Sequence, residues 1–365
     1  MVTDAASCAP GGPVRLTAYS HGAGCACKLS PTELGQVMAG LTPARSPDLI
    51  VGREHGDDAL VWRRPDGRAL VATIDVFTPI VDDAATWGRI AAVNAGSDVF
   101  AMGGRPLFGL AFAAWPRERL PLTLLTEVLE AGQAAANDGG WVVAGGHTID
   151  GAEPLYGQAV VGELDPERML RNTQGRPGDT LVLTKPLGTG LVTTAVKRRP
   201  PEAHGPGGEL AGAYAAAVAE MTRSNGDAAQ AALACGTRAG TDVTGFGLLN
   251  HLREVLLASG VAARLDAAAV PRLPGVADLL ARGEVPGGTQ RNLAHVRDHL
   301  ELAAGVDEGQ LVVLADAQTS GGLLLAVPAR AAAVDLVAQL TDGGHTAAVI
   351  GELTDGPSAT IQIVA

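Results

Sequence analysis

Ser20-His21-Gly22-Ala23-Gly24-Cys25-Ala26-Cys27-Lys28, followed by Leu29-Ser30-Pro31, is the stretch around which the rest of the chain reads. A thiol reacts as its thiolate, and a cation three residues away in a loop of small residues stabilises that thiolate while leaving room for a substrate. Cys25 is therefore the candidate nucleophile. Lys28 can also neutralise phosphate oxygens, and Gly22 and Gly24 let backbone N–H groups turn toward an anion. Composition by itself fits an inert N-terminal arm equally well, so the later motifs have to decide.

Those motifs are acids at the ends of apolar runs. Asp57-Asp58-Ala59-Leu60-Val61-Trp62 brings two carboxylates to the start of one strand, and the strand predicted over 69–74 ends at Asp75. Carboxylates are uncommon in such places unless they are paired or bind metal. Residues 86–102 have a helical pattern that stops at Gly103-Gly104 and puts Asn94 and Asp98 four apart on one face. A helix over 120–137 should turn Leu122, Leu125, Val128 and Leu129 inward. A strand over 141–144 should enter a turn, Gly145-Gly146-His147-Thr148, whose amides and hydroxyl could meet a phosphate. Further on, Gly240-Thr241-Asp242-Val243-Thr244-Gly245-Phe246-Gly247 repeats the small-residue, acid, valine pattern of Ser97-Asp98-Val99 and, more loosely, of Ile74-Asp75-Val76. Glycine turns are expected at Pro286-Gly287-Gly288-Thr289 and at Asp316-Ala317-Gln318-Thr319-Ser320-Gly321-Gly322.

Length and charge exclude several classes. At 365 residues and 47% apolar content the chain can fill two cores, and a net charge of −12 without a long basic run argues against a nucleic-acid or anionic-membrane surface. No apolar stretch approaches the ~20 residues of a membrane span, and residues 1–13 carry neither a basic start nor an apolar segment. Four cysteines do not make a disulfide framework in a chain this long, which points to a reducing, cytoplasmic setting.

Mg²⁺ prefers hard oxygen ligands and bridges phosphates, so a nucleotide site needs a few dispersed carboxylates; Asp58, Asp75, Asp98 and Asp242 supply such a set. Neither a Walker-type lysine loop nor a Rossmann fingerprint is present. His295 and His299 are expected on one helix face without an evident third ligand, a poor zinc site, and Cys235 reads as a small buried residue.

The loop at 20–28, Asp57-Asp58-Ala59, Asn94-Ala95-Gly96-Ser97-Asp98, Ala144-Gly145-Gly146-His147, the Thr241–Gly247 motif and Gln318-Thr319-Ser320-Gly321-Gly322 together resemble, in order and over nearly the whole chain, the selenophosphate synthetases. The resemblance implies the reaction of ATP, selenide and water to selenophosphate, AMP and orthophosphate, which supplies selenium for selenocysteine and selenium-modified tRNA. It implies Cys25 and Lys28 as catalytic residues. Asp58, Asp98 and Asp242 match the Mg²⁺ ligands of the family. Lys28, His55, Gly56, Asp57, Asp75 and Asp98 match its ATP contacts, with Gly146, His147 and Thr148 reaching the nucleotide from the partner subunit. Several Mg²⁺ ions accompany ATP, and a monovalent cation is a further candidate.

The implied fold is α/β plus α+β, of the aminoimidazole-ribonucleotide-synthetase-like kind. Its expected parts are a flexible glycine-rich segment over 1–28, an ATP- and Mg²⁺-binding dimerisation domain over 29–165 that builds a barrel-like core with its twin, and an α+β domain over 166–365. A homodimer with transient contacts to selenium-delivery or selenophosphate-using enzymes is the expected assembly, without nucleic acid or membrane. Three departures stand out: His55-Gly56 replaces a common Thr-Arg, Gly96 a larger apolar residue, and Ala26 a glycine. A different ATP-dependent enzyme of the superfamily should lack the Cys25/Lys28 loop, whereas a non-catalytic selenium carrier would not need four aspartates.

Overall fold

The computed structural model describes residues 14–22, 24, 29 and 31–365, so Cys25 and Lys28 lie outside the described residues. After α1 (Pro31–Ala39) come β1 (Leu49–Val51), β2 (Leu60–Arg63), β3 (Ala69–Phe77), α2 (Ala84–Ala101), β4 (Arg105–Trp115), α3 (Leu122–Asp138), β5 (Val142–Asp150) and β6 (Leu155–Leu164). The six strands form one sheet in the order β1-β2-β3-β6-β4-β5, antiparallel throughout except where β4 meets β5.

The second half runs through β7 (Thr180–Leu183), α4 (Thr189–Lys197), α5 (Ala211–Met221), α6 (Gly226–Ala234), β8 (Ala239–Asp242), α7 (Gly247–Ser259) and β9 (Ala262–Asp266). It continues with α8 (Val276–Ala281), α9 (Gly287–Val296), β10 (Leu300–Leu302), α10 (Glu308–Leu314), β11 (Leu323–Val327), α11 (Arg330–Asp342), β12 (Ala348–Thr354) and β13 (Ile361–Val364). Its seven-stranded sheet, β10-β13-β9-β12-β7-β11-β8, is also mixed.

Helix α2 joins the two halves. It is capped by Asp83, whose carboxylate accepts from the Thr86 N–H at 2.7 Å, and it is buried on nearly every side. One side packs on α3, β3 and β6, the other on β8, α5 and α6. A helix without a solvent face places its polar residues inside the molecule, which is why Asn94, Ser97 and Asp98 stand at the junction of the halves. Gly96 is small for a reason: a Cβ there would come within 2.6 Å of the Trp141 ring, whose Nε1 donates to Gln158 Oε1 at 2.9 Å. The indole fills the space a larger residue 96 would claim.

Several sequence expectations need correcting. Gly145–Thr148 is not a turn but the middle of the exposed edge strand β5. The register against β4 slips here, with Gly109 opposite Val143 and Ala111 opposite Gly146, so a bulge rather than a turn uses the glycines. A Cβ on Gly146 would run into the Ala111 carbonyl. Pro286-Gly287-Gly288-Thr289 opens helix α9. Strand β3 continues through Asp75 to Phe77, Leu122 is exposed at the start of α3, and Cys235 caps α6 half-buried. His295 and His299 are separated by the end of α9, His299 belonging to the following 3-10 turn.

Candidate active site

The glycine-rich loop is tied to both halves of the molecule. Asp82 accepts from the Thr17 N–H and hydroxyl at 2.9 and 2.6 Å and pairs with Arg15 at 2.9 Å. Lys197, at the end of α4, donates to the carbonyls of Ser20 and Gly22 at 2.9 and 2.6 Å. His21 meets Glu153 at 2.9 Å, and the Gly24 N–H donates to the Thr78 carbonyl at 3.2 Å. Gly24 has φ +55°, and a Cβ there would strike Ile80 and come within 2.5 Å of the Thr319 hydroxyl. Only glycine fits this backbone and this gap.

Four places supply the aspartates: the turn before β2, the last third of β3, the last turn of α2 and the end of β8. Asp58 accepts from the Thr241 hydroxyl at 2.8 Å, and Asp242 from the Ser97 hydroxyl at 2.5 Å. Thr73 donates to Asp98 from the neighbouring strand β3. The Asn94 amide donates to Asp75 Oδ2 at 2.7 Å, and the Asn172 N–H to Asp57 Oδ1 at 2.8 Å. Burial, then the charges of Asp242 and Asp98, push Asp58 well above the usual carboxylate range against the opposing Thr241 hydrogen bond. Burial also raises Asp57, although the Asn172 N–H, Arg171 and His55 all favour its ionised form.

Asp58 Oδ2 is shut off from solvent with no hydrogen-bond partner, whereas Asp57 Oδ2, equally enclosed, has the Arg171 guanidinium at 4.0 Å. Like charges crowded around the Asp58 oxygen are costly unless a cation joins them, so the donor set fits a hard divalent ion. Among the described residues no three His, Cys, Asp or Glu side chains form a ready-made metal cage.

Of the sequence candidates, Asp57, Asp98 and Asp242 lie near enough to Asp58 to act on its charge, and Asp75 is held by Asn94 from the helix that carries Asp98. His55 and Gly56 stand beside them on an exposed turn, where Gly56 has φ +65° and Asn172 Nδ2 donates to both carbonyls, at 3.2 and 2.9 Å. Gly146, His147 and Thr148 are elsewhere, on β5, with β6 and β4 between them and β3. They line a cleft of about 330 Å³ with Leu129 and Gln133. Sequence reading missed the hydroxyls and amides that hold the acids. Their signal is the small residue before each acid, but the pairing crosses over: Thr241 serves Asp58 rather than its neighbour Asp242, and Ser97 serves Asp242 rather than Asp98.

The families described as AIR synthase related protein, N-terminal domain and C-terminal domain match residues 56–164 and 176–364. A selenide, water dikinase of Burkholderia orbicola (strain MC0-3) is 44% identical over 358 residues, covering 98% of this chain and 99% of the relative. The chain belongs to the selenide, water dikinase family. The family member from Myxococcus xanthus (strain DK1622) is 45% identical over 94% of this chain and 95% of its own length. Among solved structures, the thiamine-monophosphate kinase from Stenotrophomonas maltophilia K279a superposes with a TM-score of 0.63 at 20% identity, covering 87% of this chain and 92% of its own. The hydrogenase maturation protein HypE in complex with ATP gives 0.61 at 18% identity over 90% and 86%. These two share the AIR synthase-like fold with the dikinase family, and at this identity the likeness concerns the fold alone. No described helix is long and apolar enough to cross a membrane.

Proposed function

We propose that this chain converts ATP, selenide and water to selenophosphate, AMP and orthophosphate, the product serving selenocysteine and selenium-modified tRNA synthesis. One observation carries the reading: Asp58, Asp98 and Asp242 face one another at the junction of the halves, and an unpartnered buried carboxylate oxygen of Asp58 lies among them. Asp58, Asp98 and Asp242 would hold Mg²⁺, which when bound spreads the charge of the triphosphate.

His55, Gly56, Asp57, Asp75 and Asp98 would orient the nucleotide. Lys28 would meet its phosphates and Cys25 handle the selenium, both carried by the loop that Lys197 and Asp82 anchor. Tying that loop to both halves would keep it over the site and water away from selenide. Residues 29–165 serve as the nucleotide and dimerisation domain and 166–365 as the α+β domain.

A homodimer is supported by the sheet of the first half, where Ile74, Phe108, Leu110, Val142 and Ile149 are exposed on β3, β4 and β5. Pairing there would bring Gly146, His147 and Thr148 of one copy toward the nucleotide of the other and complete a barrel-like core. We place the enzyme in the cytoplasm, where thiols stay reduced.

Anaerobic phosphorus NMR of the purified protein with ATP and Mg²⁺ tests the reading. AMP, orthophosphate and a selenium-coupled phosphorus signal should appear only with selenide. ADP alone, or selenide binding without ATP consumption, would overturn it. Cys25→Ala and Lys28→Ala should each abolish the selenium-coupled signal while the dimer persists in sedimentation; wild-type turnover in both would remove the loop from the mechanism.

A further inference from the structure

Lys185 is 1% exposed, just beyond the end of β7. Its ammonium donates to three main-chain carbonyls: Glu220 at 3.1 Å, Arg223 at 2.7 Å and Ser320 at 2.9 Å. No carboxylate among the described residues lies within ion-pair distance of it. An ammonium has three N–H donors and this cage has three acceptors, so every donor is used without an acid partner. Two of the carbonyls belong to the C-terminal end of α5 and the residues just past it, where the helix presents its negative pole. A buried charge held this way is costly to keep, which raises the question of what it holds in place.

The third carbonyl answers it. Ser320 is a non-glycine residue at φ +51°, a conformation that persists only when its surroundings fix it. Lys185 holds its carbonyl, and its N–H donates to Asn94 Oδ1 at 2.8 Å. The same Asn94 side chain donates to Asp75 at 2.7 Å. One residue further, the Gly321 carbonyl accepts from Asn225 at 2.9 Å; Asn225 also donates to Ser97 at 2.8 Å, and Ser97 to Asp242 at 2.5 Å. Two chains of hydrogen bonds thus run from the Ser320-Gly321 turn to two carboxylates of the site. The turn also packs tightly on the lysine, since a Cβ on Gly322 would come within 2.5 Å of the Lys185 amide nitrogen.

We propose that Lys185 is a positioning residue of the carboxylate site, fixing the Ser320-Gly321 turn through its carbonyl cage and thereby the orientation of Asp75 and Asp242. Lys185 touches no substrate. The inference rests on the reading that these acids receive Mg²⁺ and ATP.

Its test is calorimetric titration of Mg²⁺–ATP into wild type, Lys185→Ala and Lys185→Met, with thermal melting alongside. Removing the ammonium should weaken Mg²⁺–ATP binding roughly tenfold or more, the size of effect seen when groups that orient metal ligands are lost. Ethylammonium, which can enter the vacated slot of Lys185→Ala and donate to the three carbonyls, should restore the affinity; tetramethylammonium, without an N–H, should not. Lys185→Met keeps most of the stem and tests the same loss where the alanine variant fails to fold.

Wild-type affinity in a folded variant overturns the inference. A loss that ethylammonium leaves unchanged also overturns it, because it reduces Lys185 to packing. Failure of wild type itself to bind Mg²⁺–ATP would sink the functional reading and this inference together, whereas wild-type binding with indifferent variants sinks this inference alone.

Discussion

Two groups of enclosed acids in this molecule behave in opposite ways. Asp316 is fully buried, and burial lifts it to about 7. Yet both its oxygens are occupied: the N–H groups of Gly190 and Leu191 reach Oδ2 at 3.1 and 3.3 Å, Gln318 Nε2 reaches it at 2.9 Å, and the Thr289 hydroxyl donates to Oδ1 at 2.8 Å. It caps the start of α4 and ties it to α9. Asp58 is also raised by burial, but it faces the like charges of Asp242 and Asp98, and its Oδ2 has no partner. A buried acid with both oxygens answered holds elements together, whereas one with an unbonded oxygen among other acids suits the cation proposed above. Burial alone does not tell the two apart; the partner inventory does.

The largest expected effect is on the structural side. Asp316→Ala leaves two buried N–H groups and the Thr289 hydroxyl without an acceptor, with Gln318 Nε2 keeping only the residue 316 carbonyl, and should cost about 3–5 kcal/mol of stability, read by denaturant melts. A variant as stable as wild type would break the contrast. Asp58→Asn should do the reverse, lowering turnover on the order of a hundredfold while leaving the metal-free protein as stable as wild type or more so, because a crowded charge is gone. Strong destabilisation with activity retained would place Asp58 with Asp316.

Acidity separates the two sites next. Both acids are raised, so the folded chain holds their protons more tightly than the unfolded chain does. Their contribution to stability is fully present below the unfolded value near 3.8 and is lost as pH rises through the folded values, which for Asp316 is about 7. Saturating Mg²⁺ should flatten the part due to Asp58 and leave that of Asp316 unchanged; identical melting-against-pH curves with and without Mg²⁺ would remove the distinction. The smallest effect is expected from Thr241→Val, which takes one hydroxyl from Asp58 and should weaken Mg²⁺ binding by about 1 kcal/mol, measured by titration, with stability nearly unchanged.

Much of the site was legible in the sequence because acids at the ends of apolar runs are chemically conspicuous. Asp58, Asp75, Asp98 and Asp242 stand out for that reason; Asp98 and Asp242 lie near enough to Asp58 to act on its charge, and Asp75 is held by Asn94. The glycines were less readable. Gly145-Gly146 and Gly287-Gly288 look alike as turn signals, yet the first pair lies in a bulged edge strand and the second opens a helix, since the path of the chain at a glycine pair depends on which neighbour its backbone approaches. Leu122 fits the apolar stripe of α3 but lies at its exposed start. Thr73 and Asn225 carry no signal of their own, and Ser97 and Thr241 only that of standing before an acid they do not serve; small polar residues are common, and their partners are far away in the chain.

By itself the sequence determined the chemistry available: a thiol and an amine on a glycine loop, dispersed hard-oxygen ligands, and two cores' worth of apolar residues in the pattern of the family. It determined these because composition and local spacing are properties of neighbours along the chain. Only the tertiary structure decided which hydroxyl serves which acid, that Asp316 is answered and Asp58 is not, and that a buried lysine ringed by carbonyls stands behind the turn that orients the site. Those facts are contacts between residues far apart in the chain, set by how α2 and the two sheets pack together, and no short window of sequence contains both partners.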